Sequence, residues 1–111
     1  MTDDRLSNIF FALSARTRRD VLTRLAARDA TVKELAEPYD ISLAAVSKHL
    51  KVLESAGLIS RRKDAQFRPC HFNPAALQAA DDWLADYRHF WDRSLDRLTE
   101  YLRTVHVTST D

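Results

Sequence analysis

Residues 31–57, TVKELAEPYDISLAAVSKHLKVLESAG, decide the fold, because they carry the signals of two short helices joined by a tight turn. Thr31 and Glu34 have the spacing of a capping box, which predicts the start of the first helix. Ser42 is placed to cap a longer second helix that ends near Gly57, the single glycine of the chain. This layout is typical of a helix-turn-helix, whose second helix reads DNA.

The second helix has an apolar face and a polar face. Val46, Leu50 and Leu53 recur at spacings of four and three, so we expect them to face inward. The outward positions are small, polar or basic in most cases: Ser42, Leu43, Ala44, Ser47, Lys48 and Lys51. Small residues let a backbone approach the major groove, hydroxyls bond phosphates or base edges, and lysines neutralise phosphate. An antiparallel helix pair with a solvated outer face would show the same pattern.

The segment that follows, LISRRKDAQFRPCHFN at residues 58–73, favours the DNA-binding interpretation. Alternation of apolar and basic residues predicts two strands, with a turn at residues 64–66. Pro69 is acceptable in such a hairpin, because both of its strands are edges. A basic hairpin beside the second helix is a wing.

The length and composition predict one domain over residues 1–111 that needs no disulfide, because 45% of the residues are hydrophobic. The predicted fold class is mainly α with a small β-hairpin, a winged helix-turn-helix of about five helices plus a two-strand wing. The N-terminus lacks the pattern of a signal peptide, and no apolar run is long enough to span a bilayer. With a single cysteine as well, we expect a cytoplasmic protein without membrane partners.

The charge is unevenly distributed along the chain. The formal net charge is +1, yet residues 42–72 hold six basic and two acidic side chains, whereas residues 73–111 hold four basic and seven acidic ones. A surplus confined to the second helix and the wing is what a groove-binding surface requires. Chance imbalance in a soluble protein is the alternative, and the coincidence of charge with motif argues against it.

Two helices are predicted before the motif. The first spans residues 4–13, with an apolar stripe made of Leu6, Ile9, Phe10 and Leu13. The second spans residues 15–28, is capped by Ser14, and has an inward face made of Val21, Leu22, Leu25 and Ala26. Four arginines occupy its other face, and we expect all except Arg18 to be solvated rather than near DNA phosphate: Arg16, Arg18, Arg19 and Arg24.

A long last helix is predicted to start at Asn73–Pro74 and to run to about Val105, with residues 105–111 frayed. Leu77, Leu84 and Tyr87 are expected near the core. The helix also carries more large apolar side chains than one small domain can cover, which predicts burial against a second copy. The predicted dimer interface comprises Leu6, Phe10, Leu13, Trp91, Leu95, Leu98 and Leu102.

Taken together, FALSARTRRDVLTRLA and ELAEPYDISLAAVSKHLKVLESAGLISRRKDAQFRPCHF resemble the ArsR family of bacterial transcriptional repressors over nearly the whole chain. The resemblance implies a homodimer that sits on an operator in double-stranded DNA and blocks transcription. By position it implies that six residues lie in or beside the major groove: Ser42, Leu43, Ala44, Ser47, Lys48 and His49. It also implies that four basic residues serve the wing: Arg61, Arg62, Lys63 and Arg68.

The chain departs from metal-sensing members of that family. The segment ELAEPYD holds no thiol pair, and Asp86, His89 and Asp92 on the last helix are too few nitrogen or sulfur ligands for a tight zinc site. The chain therefore resembles the subgroup without a recognised metal site, and we expect neither metal nor cofactor. Its effector stays open between a small organic molecule, oxidation of Cys70, and none.

The favoured function is a dimeric, sequence-specific repressor acting at a palindromic operator. An enzyme is not expected, because neighbouring residues on a strand, such as Cys70 and His71, point to opposite faces and cannot pair as nucleophile and base. The stronger rival is a winged-helix protein-interaction module without specific DNA binding. Selection of DNA sites from random sequence separates these two functions.

Overall fold

A computed structural model describes residues 4–62 and 68–109 of the chain. These residues form, in order, α1 (Arg5–Ala12), α2 (Arg16–Ala27), α3 (Val32–Ala36), α4 (Leu43–Ser55), β1 (Ile59–Arg61), β2 (Cys70–Phe72), a 3-10 turn (Pro74–Leu77) and α5 (Gln78–Ser109). The chain divides into two compact units, Met1–Ala80 and Asp81–Asp111. The predicted fold class, five helices and a two-strand wing, is confirmed.

The junction between α1 and α2 differs from the prediction. Ser14 does not cap α2; Ala15 is the N-cap residue, and it makes no side-chain cap bond. The Ser14 hydroxyl instead donates to the Phe11 carbonyl at 2.6 Å. The last carbonyls of a helix have no partner within the helix, so an adjacent hydroxyl bonds them readily.

The inward face of α2 is shifted by comparison with the prediction. Val21, Leu22 and Leu25 are buried as expected, but Ala26 is exposed and Arg18 is buried. The stripe therefore begins at Arg18 and follows the spacing i, i+3, i+4 and i+7, which leaves Ala26 on the flank.

Side-chain caps start α3 and α4 where the sequence predicts. The Glu34 amide donates to Thr31 Oγ1 at 3.2 Å, and the Thr31 amide donates to Glu34 Oε1 at 3.0 Å, which completes the capping box. The bond from the Thr31 backbone is the main reason that the pKa of Glu34 is lowered. Ser42 Oγ accepts from the Ala45 amide at 3.1 Å and caps α4.

Helix α4 lies at the centre of the first unit. It packs against α1, α2, α3 and β1. Its inward residues Val46, Leu50 and Leu53 are at most 1% exposed and join a core that includes Ile9 and Leu35. Packing on several sides fixes the direction in which the opposite face of α4 points.

The two strands form the antiparallel wing. Ile59 pairs with Phe72, Ser60 with His71, and Arg61 with Cys70. The backbone of Cys70 also pairs with Ala30, because the Cys70 amide donates to the Ala30 carbonyl at 2.7 Å. The predicted turn at residues 64–66 lies outside the described residues. The wing is thus joined through its backbone to the loop after α2.

The last helix starts later and ends later than predicted. Asn73 makes no side-chain cap bond; its Nδ2 donates to the Gly57 carbonyl at 3.3 Å, so the side chain is used at the base of the wing. A 3-10 turn intervenes, and α5 continues to Ser109 instead of fraying from Val105. Leu77 packs against the core and Leu84 is half-buried, whereas Tyr87 is exposed, contrary to its expected core position. No helix in the described part of the chain is apolar enough over a sufficient length to cross a membrane.

Gly57 ends α4 in a left-handed conformation and supplies a test of this local structure. Its φ is +77°, the Gly57 amide donates to Glu54 O, and the Leu58 amide donates to Leu53 O, which is a Schellman motif. A Cβ at this position would meet no atom within 4 Å. We therefore expect Gly57→Ala to lower the free energy of unfolding by about 1 kcal/mol through backbone strain alone. Urea denaturation measures the loss.

Gly57→Asn is the matched control, because asparagine tolerates the left-handed region better than alanine does. Gly57→Asn should lower the free energy of unfolding by less than Gly57→Ala does. Equal losses for the two variants would show that something other than backbone conformation limits this position.

Candidate nucleic-acid interface

The outward face of α4 is held in place by the buried face described above. Ser42, Leu43, Ala44, Lys48 and Lys51 are exposed, and Ser47 and His49 are half-buried. The first turn of the helix therefore presents small residues and one exposed leucine, and its middle presents hydroxyl and ammonium groups. A surface of this composition can approach a groove and neutralise phosphate.

Two cations on this face have no competing carboxylate. Neither Lys48 nor Lys51 forms an ion pair with any residue that the structure describes. Their ammonium groups are consequently available to an external anion. Solvated lysines on one face of a helix are the footprint of an electrostatic contact surface.

Three of the four arginines of α2 donate hydrogen bonds to backbone carbonyls, and the burial of Arg18 and Arg24 corrects the predictions for these two. Arg18, expected near phosphate, is buried and donates through Nε to the Ala12 carbonyl at 2.8 Å. Arg19 is exposed, as expected, and donates to the Leu13 carbonyl at 2.6 Å. Arg24, expected to be solvated, is half-buried and donates to the Leu35 carbonyl at 2.8 Å. These guanidinium groups satisfy carbonyls at the ends of α1 and α3. Arg16 is exposed, as expected.

The basic residues of the wing are in different environments. Arg62 and Arg68 are exposed, and Arg68 has a φ of 46°. Arg61 is half-buried, and its Nε is enclosed without a hydrogen-bond partner among the described residues. Lys63 lies outside the described residues. The exposed face of the wing thus offers Arg62 and Arg68 to a partner.

Asp29 ties the outer face of the wing to the loop that follows α2. Its Oδ1 lies 2.8 Å from His71 Nδ1, and its Oδ2 lies 3.8 Å from an Arg62 guanidinium nitrogen. Sequence reasoning missed Asp29, because the contact joins residues far apart in the chain and no local motif marks it. The Arg62 side chain stays 62% exposed, so this ion pair is a weak restraint.

The second unit exposes an apolar face on α5. Trp91, Leu95, Leu98 and Leu102 are each more than half exposed. Of the α1 residues predicted with them, Leu6 and Leu13 are partly buried against the core of their own unit, and Phe10 is 37% exposed. Phe11, which sequence reasoning did not single out, is 62% exposed.

Within residues 4–62 and 68–105, no three His, Cys, Asp or Glu side chains are grouped to hold a metal ion. The candidate site is a surface of hydroxyl, ammonium and guanidinium groups, and such groups can bind an anion.

Known proteins share this architecture. A family model described as a helix-turn-helix domain matches residues 13–62. The transcriptional repressor SdpR of Bacillus subtilis is 33% identical over 81% of this chain and 100% of its own length. The crystal structure of the ArsR family transcriptional regulator RHA00566 superposes with a TM-score of 0.73 at 39% identity, over 80% of this chain and 98% of that one.

The chain belongs to the ArsR family of winged helix-turn-helix transcriptional regulators. It is accordingly a regulator and not an enzyme. A more distant neighbour, the homodimeric winged helix-turn-helix domain of Mb0332 from Mycobacterium bovis, has a TM-score of 0.61 at 23% identity, over 77% of this chain and 82% of that one. At that identity the likeness shows the fold alone.

Cys70 of this ArsR-family chain, whose oxidation the sequence left open as one response to an effector, lacks the environment of a reactive thiol. The side chain is fully buried, and burial raises the pKa of the Cys70 thiol; the charge of Arg61 acts in the opposite direction but more weakly. His71, its neighbour, is exposed, as the alternation along a strand predicts. A buried, protonated thiol is a poor nucleophile.

We expect the native Cys70 thiol to react with an aromatic disulfide reagent at pH 8 much more slowly than the same chain in denaturant. The raised pKa also links Cys70 to the pH dependence of folding: its contribution to the free energy of unfolding is present below the pKa of the unfolded thiol and is lost as pH rises through the pKa of the folded thiol. Absorbance of the released thiolate measures both rates. Equal reaction rates for the native and the unfolded chain would contradict the assignment of Cys70 as an unreactive thiol. So would DNA binding that peroxide weakens in the native protein but not in Cys70→Ser.

Proposed function

We propose that this ArsR-family regulator is a dimeric, sequence-specific DNA-binding repressor acting at a palindromic operator. The face of α4 supports this most directly, because it combines an exposed, small-residue start with two lysines that pair with no described carboxylate. One reading helix in each subunit requires two half-sites related by the twofold axis of the dimer.

The residues of α4 have separable roles in this proposal. Ser42, Leu43 and Ala44 bring the start of the helix into the major groove, and Ser47 contacts base edges. Lys48 and Lys51 neutralise phosphates on either side of the groove. The wing adds basic residues along the neighbouring backbone: Arg61, Arg62, Lys63 and Arg68.

The apolar face of α5 supports a second copy of this chain as its partner. Trp91, Leu95, Leu98 and Leu102 recur at spacings of four and three and are all exposed, so water contacts a continuous apolar stripe. A twofold interface buries the same stripe from both subunits at once. The homodimeric neighbour from Mycobacterium bovis has the same fold. Leu6, Phe10 and Leu13 stay predicted contributors, of which Phe10 is the most exposed.

Repression follows from where such a dimer sits. A protein that covers an operator overlapping a promoter excludes the polymerase, and the relative SdpR is named a transcriptional repressor. We therefore assign repression rather than activation.

Lys48→Ala should weaken binding to a duplex from the chain's own promoter and to unrelated duplexes by similar factors, because a phosphate contact carries no sequence information. The slope of log affinity against log salt concentration should become less steep by about one unit. Ser47→Ala should instead change which bases are preferred. Fluorescence anisotropy at several salt concentrations measures both effects.

Arg103→Ala is the matched control for Lys48→Ala, since it removes one exposed positive charge from α5. It should leave affinity and salt slope close to those of the native protein. If Lys48→Ala changes base preference while Ser47→Ala weakens all duplexes equally, α4 has been oriented wrongly in the groove.

Leu98→Asp should convert the dimer into a monomer and abolish operator binding. The aspartate would lie opposite its own symmetry mate, and an unpaired charge buried in an apolar interface costs several kcal/mol. Sedimentation velocity gives the oligomeric state. Arg103→Asp, which makes a larger charge change on the polar face of the same helix, should stay dimeric; a dimeric, DNA-binding Leu98→Asp protein would refute the proposed interface.

A further inference from the structure

Arg18 is the only buried charged side chain within residues 4–62 and 68–105, and its hydrogen bonds fix its orientation. Nε donates to the Ala12 carbonyl at 2.8 Å, and Nη2 donates to the Phe11 carbonyl at 3.0 Å and to Ser14 Oγ at 3.4 Å. The guanidinium carbon also lies 5.2 Å from the centre of the Phe11 ring. With these anchors at the end of α1, the remaining nitrogen, Nη1, points to α4.

Nη1 of Arg18 lies 3.2 Å from Nδ1 of His49 in α4. A guanidinium group has donors and no acceptor, so His49 Nδ1 must accept this bond through its lone pair. A neutral imidazole carries its single N–H on the nitrogen that does not accept. The contact therefore places the proton of His49 on Nε2.

The Nε2 atom of His49 is accessible from outside the protein. It makes no hydrogen bond to a described residue. Over the described ranges, the one side-chain nitrogen or oxygen that is both enclosed and without a partner is Arg61 Nε, so His49 Nε2 is not enclosed. His49 is half-buried and follows Ser42 and Ala45 along one edge of α4, at helical spacings of seven and four. Its outer nitrogen thus lies along the edge of the surface proposed to meet DNA.

We propose that Arg18 is a positioning residue that holds His49 as the neutral Nε2–H tautomer, so that α4 offers DNA a hydrogen-bond donor at this edge. The proposal rests on the proposed function and adds the chemical class of the partner atom, a hydrogen-bond acceptor on the duplex. Phosphate oxygens and the N7 and O6 atoms of purines are such acceptors, whereas exocyclic amino groups are donors and would be rejected. Arg18 in this way contributes to recognition without touching DNA.

Nitrogen NMR of the imidazole rings in the full chain, without DNA, tests the tautomer. The native protein should show His49 protonated on Nε2 and unprotonated on Nδ1 at neutral pH. Arg18→Lys keeps the positive charge but loses the guanidinium fork, so its His49 signals should move toward a mixture of the two tautomers. A native His49 protonated on Nδ1, or on both nitrogens, overturns the proposal.

A pair of His49 variants tests the donor even if Arg18→Lys fails to fold. His49→Asn places an amide oxygen near the Nδ1 position, which keeps an acceptor for Arg18 but removes the outer donor. His49→Gln places an amide N–H near the Nε2 position. With a duplex from the chain's own promoter, we expect His49→Asn to bind about tenfold more weakly, the value of one lost hydrogen bond, and His49→Gln to keep most of the affinity.

The partner atom is identified with modified duplexes. Single phosphates are replaced by neutral methylphosphonates, or single purines by 7-deazapurines. At one position the replacement should lower the affinity of the native protein for the duplex and cause no further loss of affinity in His49→Asn. If His49→Asn binds the unmodified duplex as tightly as the native protein does, the donor role of His49 is overturned. If the native protein prefers no duplex, the proposed function fails and the donor role fails with it, while the NMR result still decides the contact between Arg18 and His49.

Discussion

The structure of the first unit depends on the burial of one face of α4. Val46, Leu50 and Leu53 are enclosed by α1, α2, α3 and β1, so this helix cannot rotate about its axis without exposing leucine side chains to water. Exposure of one such side chain costs about 2 kcal/mol, and the three are buried together. That constraint fixes the direction of Ser47, Lys48 and Lys51, and hence the surface on which the proposed function rests.

The junctions around α4 are stabilised by arginines that bond backbone carbonyls. Arg18 and Arg19 satisfy the end of α1, and Arg24 satisfies the end of α3, at helix termini where carbonyls lack partners within the helix. Arg18 is buried without a carboxylate nearby in the described structure, and three oxygen acceptors, one imidazole nitrogen and an aromatic ring compensate its desolvation. The same side chain thereby joins α1 to the helix that is proposed to read DNA.

Local signals in the sequence predicted most of the fold. The caps at Thr31, Glu34 and Ser42, the apolar stripe of α4 and the alternation of the wing each depend on residues within one turn or one strand, so spacing alone reveals them. The errors lie where a side chain has a second possible partner. Ser14 bonds the Phe11 carbonyl three residues earlier instead of capping α2. Asn73 bonds the base of the wing, and Arg18 occupies the inward stripe of α2 in place of Ala26, because acceptors on other elements outweighed the local preference of each. For the candidate site, the exposed residues of α4 were predictable from helical spacing, whereas Asp29 and the contact between Arg18 and His49 join segments far apart in sequence.

The proposed function requires the exposed face of α4 to read a specific duplex as part of a dimer. The decisive experiment is selection of bound duplexes from a random-sequence pool by the native protein. We expect enrichment of one palindrome whose half-sites are centred about 10 base pairs apart, one turn of the DNA helix, or a multiple of that distance. Recovery of duplexes without a shared sequence, with the protein bound equally to all of them at moderate salt, would contradict the proposed function and leave the winged helix as a protein-interaction module.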